Sequence, residues 1–139
     1  MKVEIISTIT YVKDIAKIIG WDGGKSPADR RFLSDLKDAL TRWKDLPYQA
    51  CQASIDFLED DTDIVFIDCR EPEEIERFVG DYNALTVLVQ RGEVITYGNH
   101  ADDNVENYQY DVVIDNSRGL DELMQEATIF VETFVEDSN

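Results

Sequence analysis

The side chains able to do chemistry are few, and their spacing sorts them. Cys51 and Cys69 stand far apart and belong to no metal-ligand spacing. Cys69 follows an apolar run, adjoins Arg70 and precedes a helix start at Pro72, a setting that would lower a thiol pKa. Cys51 falls at helical spacing with Tyr48 and Ile55 and reads as a small core residue. The lone histidine, His100, has Asp102 and Asp103 beside it; this reads as solvated surface, with a metal site as the sharper alternative. Asp68 ends the run Ile64-Val65-Phe66-Ile67, where a carboxylate can accept backbone N–H bonds from the next helix.

Basic side chains form a second group. Lys25, Arg30, Arg31, Lys37, Arg42 and Lys44 are six of the 13 in the chain and lie within one short stretch. They suggest a site for a small anion, since guanidinium groups clamp phosphate oxygens in pairs. The plainer alternative is pairing with Asp29, Asp35 and Asp38 along the helix. Gly23-Gly24-Lys25-Ser26 has the end of a G-x-x-x-x-G-K-[ST] phosphate loop but neither its first glycine nor a preceding buried strand. It reads as a turn leading into a capped helix.

Charge narrows the function classes. Residues 1–45 hold nine Lys and Arg against seven Asp and Glu, a balance of +2, whereas residues 46–139 hold four against 23, a balance of −19, which together give the net charge of −17. Such a surface repels a nucleic-acid backbone, and direct nucleic-acid binding is not expected. An acidic chain can instead mimic DNA and occupy a partner's basic groove. With 43% apolar residues and 139 positions, the chain reads as one folded domain, 1–139, rather than a disordered acidic tail. No apolar run of about 18 residues exists and Met1–Ser7 is no signal peptide, so a cytoplasmic location with both thiols reduced is expected.

The elements that must position these residues alternate. Strands are expected at 3–8, 63–68, 84–89 and 110–114, each β-branched or continuously apolar. Helices are expected from Val12 to Ile19, over 27–43, over 47–58, from Glu71 and from Leu120. Over 27–43 the inward stripe is Phe32, Leu33, Leu36, Leu40 and Trp43, which leaves Arg30, Arg31, Lys37 and Asp38 on or near the other faces. The last helix turns Leu120, Leu123, Met124, Ala127, Phe130, Val131 and Phe134 inward. Between strands three and four, Gly92 to Gln109 reads as a loop with a short helix near 101–107. The fold class is α/β, a parallel sheet of about four strands flanked by helices, with ligand sites at the strands' carboxyl ends.

Three segments in order resemble the P-loop nucleotide kinases, in particular the phage and bacterial deoxynucleoside monophosphate kinase-like branch. Ser7-Thr8, Val12-Lys13, Gly20-Trp21-Asp22-Gly23 and Arg30 to Lys37 resemble the second strand and the monophosphate-binding helices. Ile64 to Asp68 with Cys69-Arg70-Glu71-Pro72-Glu73-Glu74 resembles the strand that ends in an acid-x-Arg turn. Leu88 to Arg91, His100-Ala101-Asp102 and Tyr110 to Asn116 resemble the fourth strand, the lid and the fifth strand.

That resemblance implies Lys25, Arg30, Arg31, Lys37 and Arg70 as phosphate contacts, with Arg91, His100 and Asp102 in a lid. It also implies a departure, since the sequence looks like such a kinase without its first strand, phosphate loop and first helix. That loop supplies the N–H cradle and the lysine for ATP, so no catalytic residue, metal or cofactor is assigned; Mg²⁺ and ATP enter only if a phosphate loop is supplied elsewhere. The expected function is a non-catalytic kinase-like domain that binds a nucleoside monophosphate-like ligand or a protein. The alternatives are part of an active nucleoside monophosphate kinase and an acidic DNA-mimicking inhibitor of the anti-defence kind. The missing strand is central in that family, so the four strands are expected to close into a rearranged sheet, or to pair edges between two copies in a homodimer.

Overall fold

Ser26 begins the longest element. Its hydroxyl accepts from the Asp29 N–H at 3.1 Å while the Asp29 carboxylate accepts from the Ser26 N–H at 3.0 Å, a reciprocal capping box with Pro27 as the first helical residue. The computed structural model of the chain describes residues 1–92 and 104–136. It contains β1 (Val3–Ser7), α1 (Thr10–Ile18), α2 (Pro27–Lys44), α3 (Leu46–Asp56), β2 (Ile64–Asp68), α4 (Pro72–Tyr82), β3 (Val87–Gln90), β4 (Val112–Asp115) and α5 (Leu120–Val131), with a 3₁₀ turn at Val105–Asn107 and a π-helical end at Glu132–Glu136. The class is α/β with parallel strands.

Among the described residues hydrogen bonding stops at pairs. β1 runs parallel to β2, with Val3 opposite Ile64 and Ser7 opposite Asp68, and β3 runs parallel to β4, with Val87 opposite Val112. The closing of four strands into one rearranged sheet is therefore corrected to two sheets of two strands each. The physical reason is that a ladder is made by backbone groups, so an apolar pattern identifies a strand without choosing its neighbour.

The described chain divides into two compact units, the boundary falling within α4. In the first, residues 1–75 with 104 and 105, the core is Val12, Ala16 and Leu33, with Ile9, Trp21, Leu36 and Leu40 packed on it and Tyr48 and Cys51 also buried. Asp45 ends α2 and starts α3 in a left-handed conformation (φ 55°), so the two helices are joined through one residue. Lys2 bonds Glu59 and Asp61, which ties the start of β1 to the approach to β2.

In the second unit, residues 76–92 with 106–136, Thr86 and Asp111 clamp the starts of β3 and β4. The Asp111 carboxylate accepts from the Thr86 N–H and hydroxyl, and the Asp111 N–H is 2.9 Å from that hydroxyl oxygen. Phe78 is buried, but α5 buries no residue.

Two inward stripes need correction. Phe32 and Trp43 of α2 are exposed, Trp43 carrying the Lys44 ammonium 4.6 Å over its ring, while Lys37 faces inward with Leu33. In α5, Leu120 and Met124 face outward. No helix among the described residues is long and apolar enough to cross a membrane.

Candidate functional site

β1 and β2 end side by side, and the Thr8 N–H donates to the Asp68 carbonyl at 3.2 Å just beyond the ladder. The carboxyl ends of parallel strands are the usual place for a ligand in α/β folds. Three elements deliver polar side chains here: Thr8 from the end of β1, Lys37 from the middle of α2 and Glu74 from the first turn of α4. Lys37 Nζ donates to Glu74 Oε2 at 2.8 Å and to Thr8 Oγ1 at 3.3 Å. All three residues are less than a tenth exposed. Desolvation costs several kcal/mol per ion, so the bond between Lys37 and Glu74 offsets a cost that either side chain alone would bear in full.

Two thiols share this region. Burial pushes the Cys69 thiol up to about 12, with the Glu74 charge adding to the rise and Lys37 opposing it. Burial likewise raises Cys51 to about 11. The activated Cys69 thiolate envisaged from its neighbours Arg70 and Pro72 is thereby corrected: loss of solvation outweighs the helix N-terminus. Cys51 has the core position expected for it.

The other anion-site candidates lie as follows. Arg30 is half-buried and its Nε donates to the Lys25 carbonyl at 3.3 Å, which fixes it over the turn before α2. Lys25, Arg31 and Arg70 are exposed, Arg70 in the turn between β2 and α4. Lys37 is buried, and its ammonium is neutralised by Glu74. Arg91 is exposed just after β3, and His100 and Asp102 lie outside the described residues.

Gly23 to Ser26 is a turn. Gly23 has φ +88°, the Gly24 N–H donates to Asp22 Oδ1 at 2.9 Å, and a Cβ on Gly24 would meet Asp29 Oδ2 at 2.5 Å. Asp29 serves the cap, and its bonds from Ser26 hold its carboxyl below the usual range. Among the described residues no group of three His, Cys, Asp or Glu side chains is arranged to hold a metal ion.

Sequence reasoning placed Lys37 outward, yet the signal for its burial was present. Leu33, Lys37 and Leu40 follow at i, i+4 and i+7, so Lys37 sits within the apolar stripe. Glu74 gave no such signal, because its partner is distant in sequence. Comparison with protein-family models, curated proteins and solved structures finds no match for this chain.

Proposed function

We propose that the chain is a nucleotide-kinase-like binding domain that holds a phosphate-bearing ligand at the carboxyl end of β1 and β2 and does not itself turn over ATP. The observation that carries the reading is the Thr8–Lys37–Glu74 network, which braces α2 and α4 at that end of the strand pair. Arg30 and Arg31 lie in the opening turns of α2 and Arg70 lies just before α4, so both braced helices carry guanidinium groups at their starts. Helix N-termini add N–H groups that favour an anion. In this reading Lys37 supports the site rather than contacting phosphate, while Lys25, Arg30, Arg31 and Arg70 supply the charge.

The turn at Gly23 to Ser26 is engaged in capping α2, which argues against an ATP cradle there.

Calorimetry at low salt with a deoxynucleoside monophosphate, and with inorganic phosphate as control, tests the reading. Binding that weakens with salt and is lost in Arg31→Ala and Arg70→Ala is expected. Absence of monophosphate binding at low salt overturns it. Hydrolysis of Mg²⁺–ATP that disappears in Lys25→Ala would show Gly23 to Ser26 to be a phosphate loop and the domain to be a catalyst.

A further inference from the structure

In the second unit, α5 presents an unusual surface. The helix lies against β4, yet Leu120 is 73% exposed, Met124 60% and Ile129 58%. Met124, Ala127, Thr128 and Val131 recur at helical spacing and line an open groove of about 290 Å³, with Glu132 and Glu136 at its far end. The helix continues there into the π-helical turns Glu132–Glu136. Such a turn is wider than an α-helical one and is common where a helix meets a ligand.

The rim chemistry selects the occupant. Glu132 and Glu136 have no ion-pair partner among the described residues, and they stand at a helix C-terminus, where the unpaired carbonyls already favour a cation. Residues 104–136 carry eight acids and one base, Arg118, which is engaged by Asp115 and Glu126. The same surface of a second copy would bring like charge to the groove, and a nucleic-acid backbone would be repelled. The complement of an apolar floor with carboxylates at one end is a helix with an apolar stripe and lysine or arginine beside it. Met124 suits such a contact, because its unbranched thioether adapts to the shape laid on it.

We propose that this groove docks a basic amphipathic helix from a partner protein, with the apolar stripe on Met124, Ala127 and Val131 and a cationic side chain at Glu132 and Glu136. The groove lies in the second unit of the chain.

The test uses the full chain and synthetic helical peptides of about 18 residues built from leucine and lysine. One peptide has its leucines at i, i+3, i+4 and i+7, and a second has the same composition without that spacing. The expected result is saturable binding of the first by fluorescence anisotropy. That binding weakens about tenfold in Met124→Asp and in the double variant Glu132→Lys, Glu136→Lys, each of which retains the wild-type far-ultraviolet circular dichroism. Equal binding of both peptides would reduce the surface to general charge attraction and overturn the proposal. So would binding unchanged in all variants, or sedimentation showing a dimer that Met124→Asp dissociates, since the occupant would then be a second copy.

Discussion

The two units solve the same problem differently. Each contains a parallel strand pair, a motif whose two faces ordinarily both need cover. The first unit packs α3 against β1, builds a core on Val12, Ala16 and Leu33, and drives a charged pair, Lys37 and Glu74, out of water. The second fastens its pair with the Thr86–Asp111 clamp and leaves α5 without a buried residue. Buried apolar side chains thus concentrate in the first unit, whereas exposed large apolar residues occur in both. Rigid bracing suits the anion site proposed for the first, and an adaptable apolar groove suits the docking proposed for the second.

Perturbations should separate the units by magnitude. The largest effect is expected at the buried pair: Glu74→Ala strands the Lys37 ammonium and should cost about 3–5 kcal/mol in urea unfolding. The double variant Lys37→Met, Glu74→Ala should recover much of that loss, because no charge is left buried. If the two losses simply add, the pair is not the brace described. Leu33→Ala should follow at about 2–5 kcal/mol, since Leu33 closes the core between α1 and α2.

The thiols give a kinetic readout. With Cys51 and Cys69 raised to about 11 and about 12, iodoacetamide at pH 8 should modify the native chain about a hundredfold more slowly than the urea-unfolded chain. A fast native reaction would mean that the first unit is open to solvent. The same shifts fix a sign. A group whose pKa is raised by folding contributes stability that is complete below its unfolded value, so stability should fall as pH rises from about 9 toward 12.

Smaller effects come from the surface. Ser26→Ala removes one half of the capping box and should cost about 1 kcal/mol. Asp29, Asp111 and Asp115 are held below the usual carboxylate range by bonds from Ser26, Thr86 and Ser117 respectively. Their contributions are present above the ordinary aspartate value and should be lost as pH falls through the lowered folded values, visible as acid unfolding at the low end of a pH titration. Smallest of all, Leu120→Ala in α5 should change stability by less than about 0.5 kcal/mol. A larger loss would show that α5 is more deeply packed than its exposure indicates.

Much of the secondary structure was legible from local pattern. The β-branched and apolar runs marked all four strands within a few residues, and Ser26-Pro27 with Asp29 marked the start of α2 because a capping box is written in adjacent residues. Gly23 to Ser26 was likewise readable as a turn. The inward faces were read less well. Bulk suggested Phe32 and Trp43 for the core of α2, whereas the helix turns Lys37 inward, and a sequence-level face is blind to an acceptor waiting on another element.

What the sequence determined by itself is therefore what short-range chemistry decides: strands, helix starts, the α/β class and the accumulation of negative charge after residue 45. What only the tertiary structure decided is which distant groups meet. Lys37 became a buried ion pair because Glu74 and Thr8 converge on it, and Cys69 lost the activation its neighbours suggested because burial removed its solvation. Among the described residues the strands pair two by two, a choice made by backbone hydrogen bonds that the side-chain pattern does not encode. In each case the deciding quantity was desolvation or hydrogen bonding between residues remote in the chain, which depends on the assembled fold rather than on any local run of residues.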